Sequence, residues 1–178
     1  MIITVIGGNA SGKSELAEDM LERLAEDEKK YYIATMKVGN DEENMERVKK
    51  HRLSRKDKNF VTIEKCVDVN KALEEMDADS IKHALLECVS NLVANEMFFD
   101  VSVRDKDETT KKVISDIGKL SDKTDNLVIV SNNVFEGGNA YDVYTLNYLE
   151  ALAKVNAHLS EISDEVYESV VGIPVRIK

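Results

Sequence analysis

A chain of 178 residues, 43% apolar and 33% charged, is the size of one domain, long enough to bury roughly two-thirds of the surface its unfolded form exposes. That composition excludes a disordered chain, and the formal net charge of −10 excludes broad electrostatic adhesion to nucleic acid or anionic membrane, so any phosphate site must be local. No apolar run approaches the ~18 residues that a membrane span requires.

The first apolar stretch, Met1 to Ile6, is short and has no basic leader. It reads as a strand rather than a signal peptide. Gly7-Gly8-Asn9-Ala10-Ser11-Gly12 interrupts it, and from Lys13 onward Leu16, Met20, Leu21 and Leu24 recur at helical spacing. Tyr31 to Thr35 predicts a second strand and Asp41 to His51 a charged helix, followed by the polar, basic stretch Arg52 to Asn59. Phe60 to Ile63 predicts a short strand, and Val69 to Met76 a short helix. Ala84 to Val89 predicts a buried strand that carries the acid Glu87 near its end, and Leu92 to Phe99 a helix. Lys106 to Lys119 sets Val113, Ile114 and Ile117 on one face of a charged helix. Leu127 to Ser131 is the clearest later strand, Tyr144 to Ile162 a long amphipathic helix, and Glu165 to Ile177 one or two closing strands around Gly172-Ile173-Pro174. Strands alternating with helices imply an α/β fold, a mainly parallel sheet with helices on both faces. Nothing resembles a linker, so residues 1–178 are expected to form a single domain. Cys66 and Cys88 lie in different elements without metal-ligand spacing, which predicts free thiols in a reducing compartment and hence the cytoplasm.

Gly7-Gly8-Asn9-Ala10-Ser11-Gly12-Lys13-Ser14 matches G-x-x-x-x-G-K-[ST] in the strand–helix context that this phosphate loop requires. Its glycines let backbone N–H groups turn inward, and the helix start adds positive potential. Lys13 is placed to reach the outer phosphates, and the Ser14 hydroxyl has the length to ligate Mg²⁺. Glu87, at a strand end, is the candidate second metal-shell group. Such loops serve kinases, motors and switches alike, so a P-loop kinase acting on some small-molecule hydroxyl is a sufficient reading of these residues. His83 and His158 read as structural or solvated. His51 closes a basic run, Arg47 to Arg52, with Arg55 beyond. It is compatible with catalysis or with a charged helix end in water.

Several features occur together: the Gly-Gly-x-x-Ser-Gly-Lys-Ser loop, Tyr32 to Thr35, Glu43, Met45, and Arg47, His51 and Arg55 at four-residue steps. Further along come Thr62-Ile63-Glu64, Leu85 to Cys88, Val128 to Asn132, Val155-Asn156, and the ending from Glu165 through Gly172-Ile173-Pro174. In this, essentially the whole chain resembles the bifunctional adenosylcobinamide kinase / adenosylcobinamide-phosphate guanylyltransferase family of cobalamin biosynthesis. The resemblance implies a P-loop NTPase-like fold and GTP or ATP as co-substrate with Mg²⁺. It also implies a corrinoid acceptor, adenosylcobinamide, and a homo-oligomer, a trimer in similar proteins. It makes His51 and Lys13 the catalytic residues, His51 as the site of a covalent guanylyl-histidine. Nucleotide contacts carried over are Gly7, Gly8, Asn9, Ala10, Ser11, Gly12, Lys13, Ser14, Ala34, Thr35, Met36, Arg52, Leu53, Ser54, Arg55, Glu64 and Glu87, with Ser14 and Glu87 at the metal. One departure falls after the later strand, where the family usually has Asn-Glu-Val-Gly and this chain has Asn132-Asn133-Val134-Phe135. If the missing acid is a general base, the kinase step is expected to suffer more than self-guanylylation.

Overall fold

A computed structural model describes residues 1–37, 58–77, 82–99, 102–135 and 141–178. In chain order the elements are β1 (Ile2–Gly7), α1 (Lys13–Ala25), β2 (Lys30–Ala34), β3 (Phe60–Glu64), a 3₁₀ helix (Val69–Glu75), β4 (His83–Glu87), α2 (Val89–Met97), α3 (Lys106–Ser121), β5 (Asn126–Asn132), α4 (Val143–Ile162), β6 (Glu165–Val170) and β7 (Ile173–Arg176). The seven strands form one sheet in the order β3-β2-β4-β5-β1-β6-β7, parallel throughout except for the antiparallel hairpin β6–β7. The fold is the expected α/β one. The segment expected to be short and helical after β3 is a 3₁₀ helix, and the helix expected to begin at Leu92 starts at Val89. The helix expected over Asp41 to His51 lies outside the described residues.

The period-two alternation of the strands divides the core in two. Ile3, Val5, Tyr32, Leu85, Val128 and Val130 face α1, which meets them with Ala17 and Leu21. Tyr31, Ile33, Leu86, Leu127 and Ile129 point the other way, into Leu92, Val113, Ile117, Leu152, Val155 and Leu159 of α2, α3 and α4. Both faces of the central strands are therefore dry, as their near-continuous apolar runs require. His83 is buried at the start of β4 and structural: one ring nitrogen meets Asn126 Nδ2 at 2.9 Å and the other Glu28 Oε2 at 2.9 Å.

Beside the helical face lies a buried ion cluster. Glu96 and Asp116 are 3% and 4% exposed, and both are bridged by Lys112, whose ammonium also reaches Asp68 Oδ1 at 2.6 Å. Arg104 adds a second cation to Glu96 at 2.6 Å. The three carboxylates have ligand atoms close enough to hold a metal, but Lys112 bonds to all three and supplies the positive charge itself. The cluster ties the 3₁₀ helix, α2 and α3 together. Lys112 and Lys71 hold the Asp68 carboxyl down at about 2. A carboxyl depressed in the folded state contributes stability above its unfolded value, and that contribution is lost as pH falls from about 4 through 2. Replacing Lys112 by Met leaves two buried carboxylates short of a cation. Because the lysine side chain is 30% exposed, the expected loss is about 2–4 kcal/mol, just below that of a fully buried pair. Urea unfolding at neutral pH measures it, and the deficit should shrink near pH 3; an equal deficit at both values would mean the pairing contributes nothing.

Candidate nucleotide and phosphate site

The parallel strands end at one edge of the sheet, and the residues marked by sequence gather there. β1 ends at Gly7, and the loop 8–12 carries the chain into α1. Ala10 and Gly12 have positive φ (55° and 84°), and such alternation turns successive N–H groups to one side as an anion nest. Gly7 admits no side chain, because a Cβ there would stand 2.5 Å from Ser11 Oγ and 2.8 Å from Ser169 O. Gly12 is the N-cap of α1 and contributes no side-chain acceptor. By contrast, α3 and α4 start on Asp105 and Asp142, whose carboxylates accept backbone N–H groups. The first turn of α1 is thus left able to bond an anion.

Lys13 is 9% exposed, and its ammonium donates to Gly8 O at 2.9 Å, spanning the loop. Burial pushes its pKa down, opposed by the nearby Cys88 and Glu87. The Ser14 hydroxyl donates to Glu87 Oε1, and Tyr32 donates to Glu87 Oε2 at 2.8 Å. Two hard oxygens, Ser14 Oγ and Glu87 Oε1, converge beside the loop, a donor set that fits Mg²⁺. Thr35, fully buried at the end of β2, receives the N–H of Cys88 at 2.8 Å and donates to Cys88 O at 2.8 Å, so β2 and β4 are fastened where they end. Ala34 pairs with Glu87 on one side and Glu64 on the other. Met36 O accepts a weak contact from Cys66 Sγ at 3.7 Å. Gly7 to Ser14, Ala34 to Met36, Glu64 and Glu87 therefore share one edge. His51, Arg52, Leu53, Ser54 and Arg55 lie outside the described residues.

Of the other groups at this edge, sequence marks Asn133 as a departure from the expected acid but leaves Ser90 and Glu168 unmarked. Asn132, at the end of β5, donates to Ser90 Oγ at 2.5 Å, and Ser90 Oγ lies 3.1 Å from Cys88 Sγ. Burial pushes the Cys88 thiol up, which disfavours the thiolate form. Tyr148 of α4 reaches Ser90 O at 3.3 Å and is pushed up to about 12, chiefly by burial. Asn133, where the resemblance leads one to expect an acid, donates through Nδ2 to Glu168 Oε1 at 3.5 Å, and its N–H bonds Gly7 O at 3.0 Å. A carboxylate from β6 thus stands next to the neutral amide. A strand-end Asn signals Asn132, but the pairing of Glu168 with Asn133 depends on the β1–β6 register, which is not written locally.

Fold and loop geometry together define a protein of the P-loop NTPase class. The chain is similar to a solved ATPase domain (TM-score 0.52, 11% identity, covering 94% of this chain and 68% of that one). It is also similar to an ATPase from the type III secretion system of pathogenic bacteria (TM-score 0.56, 11% identity, 98% and 56%). At such identities these likenesses show the fold alone. The cobinamide kinase / cobinamide phosphate guanyltransferase family profile matches residues 3–177, and the chain belongs to that family of transferases. It is 28% identical, over the full length of both chains, to the bifunctional adenosylcobalamin biosynthesis proteins CobU of Escherichia coli (strain K12) and of Salmonella typhimurium (strain LT2).

Lys13→Ala is expected to weaken Mg²⁺-nucleotide binding by about 10- to 100-fold, the value of one charge-assisted hydrogen bond. The thermal midpoint should not fall, because a desolvated ammonium is removed with the interaction. Calorimetric titration beside a melting curve tests both, and unchanged affinity would remove the loop from the site.

Proposed function

We propose that this enzyme phosphorylates the aminopropanol hydroxyl of adenosylcobinamide with ATP or GTP, and then transfers GMP from GTP to that phosphate through a guanylyl-His51 intermediate. The observation that carries the reading is the phosphate loop with Lys13 and the Ser14–Glu87 pair, in a chain of the cobinamide kinase family. In the first reaction the acceptor hydroxyl attacks the γ-phosphorus, the nucleoside diphosphate leaves, and the hydroxyl proton passes to a base. Lys13 and the backbone N–H groups of the loop hold the transferring phosphoryl and its developing charge. Mg²⁺, held by Ser14 and Glu87, would neutralise phosphate charge. In the second reaction the neutral His51 imidazole attacks the α-phosphorus of GTP and pyrophosphate leaves. A phosphate oxygen of the acceptor then displaces the imidazole, giving adenosylcobinamide-GDP. Arg52 through Arg55 would pair with nucleotide phosphates, and Ala34, Thr35, Met36 and Glu64 would line the guanosine. A cytoplasmic homo-oligomer, a trimer as in similar proteins, completes the reading.

Incubation with Mg²⁺ and GTP labelled at the α or the γ phosphorus, followed by denaturation, tests it. Retained α label supports guanylyl transfer; γ label passed to an acceptor other than cobinamide, with no α label retained, would support a plain small-molecule kinase instead. The adduct should be acid-labile and alkali-stable, as a phosphoramidate is, and absent from His51→Ala. Label persisting in that variant would move the nucleophile elsewhere.

Glu168 beside Asn133 supplies the acid that the altered segment lacks, and we assign it the acceptor's proton. Glu168→Gln is expected to lower cobinamide phosphorylation by about 10²- to 10⁴-fold while leaving enzyme–GMP formation intact, since the imidazole attack brings its own nucleophile. Equal losses in both reactions would show that Glu168 only shapes the fold.

A further inference from the structure

We propose that the β6–β7 turn is a nucleobase shelf for the nucleotide whose phosphates lie in the loop, distinct from the guanosine contacts on β2 and β3. The proposal rests on the phosphate-loop reading and extends it. The turn is clasped to the loop by its backbone: Gly172 N–H donates to Ser11 O at 2.8 Å, and Ser169 Oγ donates to the same oxygen at 2.6 Å. A Cβ on Gly12 would come within 3.2 Å of Gly172 Cα. The turn and the start of α1 are thus in van der Waals contact.

The reacting end of the nucleotide is fixed by Lys13, Ser14 and Glu87, which draw the outer phosphates toward β5 and β4. Its sugar and base must then leave on the opposite side of β1, and the sheet order places β6 and β7 there. What meets them is apolar. Val171 is 83% exposed and Ile173 61% exposed, both at the tip of the hairpin. Val171 also has φ +46°, a left-handed backbone that a β-branched residue adopts only when its surroundings hold it. With Gly172 at +83°, it forms a two-residue turn of the kind in which Asn-Gly is the relaxed sequence. Valine here costs stability, and its side chain contacts little of its own fold. A flat, weakly polar ring stacked on Val171 and Ile173 gives that side chain a purpose.

The loop then lies between two base positions. A phosphoryl donor rests its base on the hairpin, while the guanylyl donor places guanosine toward Ala34, Thr35, Met36 and Glu64, on the far side of β4. No bond changes at the shelf itself, which acts only in binding. This accounts for the Gly172-Ile173-Pro174 ending, a motif that the transfer chemistry leaves unused.

Val171→Asn and Val171→Gly both suit the positive φ and delete the apolar surface. Calorimetry with Mg²⁺ should compare the β,γ-imido analogue of ATP with inorganic tripolyphosphate, alongside a melting curve and sedimentation velocity. Both variants are expected to bind the analogue about five- to tenfold more weakly, as befits the loss of one apolar contact. Tripolyphosphate affinity should be unchanged and the melting temperature equal or higher. Unchanged analogue affinity overturns the shelf. Parallel weakening of analogue and tripolyphosphate also overturns it, since the loop itself would then be disturbed. Loss of self-association with affinity intact would assign the patch to a second copy of the chain. Failure of the unsubstituted enzyme to bind either compound would instead sink the phosphate-loop reading beneath the proposal.

Discussion

Parallel pairing of β1 on both of its edges is the constraint on which the site depends. Gly7 stands in register with Asn132 of β5 and Ser169 of β6, so three strands stop at one level and the loop leaves from a fixed point between them. Hydrogen bonds from the neighbours then hold the loop's path. Asn133 N–H bonds Gly7 O, and Ser169 and Gly172 bond Ser11 O. A loop held from both flanks keeps its N–H groups aimed before any anion arrives, which is the preorganisation that phosphate binding needs.

The chain carries a net charge of −10, yet it builds an anion site, and local geometry explains how. The field of the whole protein repels phosphate at a distance, but within a few ångströms it is outweighed by one buried ammonium and by a helix start whose N-cap, Gly12, offers no side-chain acceptor to its N–H groups. The acidic surplus is also partly consumed elsewhere, in Asp68, Glu96 and Asp116 around Lys112 and in the aspartates that cap α3 and α4. Aspartate caps α3 and α4, whereas α1, which follows the phosphate loop, starts on Gly12 with no side-chain cap. This distribution says more about function than the total charge.

Much of this was legible in the chain because it is written locally. The phosphate loop is contiguous, and the strands are apolar runs whose alternation gives both faces of the core. Glu87 sits where a strand stops. What was not legible depends on register between distant segments. Tyr32 meets Glu87 and Asn132 meets Ser90 only because β2, β4 and β5 are adjacent in that order. Lys112–Asp116 is a visible i,i+4 pair on a helix, whereas its links to Asp68 and Glu96 cross three elements. His83 reads from sequence as structural or solvated, and its two ring contacts make it structural. The strained backbone of Val171 left no trace either, because its sequence, Val-Gly, is not the favoured one for such a turn.

Glu87 has a further consequence for how the two proposed transfers would share one phosphate loop. Its carboxylate touches the phosphate-loop helix through Ser14 and β2 through Tyr32, while its own carbonyl accepts the N–H of Thr35. β2 is the strand whose end carries the proposed guanosine contacts. The group that would help hold the metal is thus also the fastening between the loop and the guanosine side. Ser14 and Glu87 would hold Mg²⁺, which would supply charge neutralisation at the phosphates, while Tyr32 bonds the other Glu87 oxygen and keeps the carboxylate linked to β2. The two proposed transfers would then draw on one cradle and one carboxylate, differing in where the base rests and which group attacks. On the proposed sequence of reactions, the phosphates would stay near the same place while the acceptor returned carrying one phosphate more.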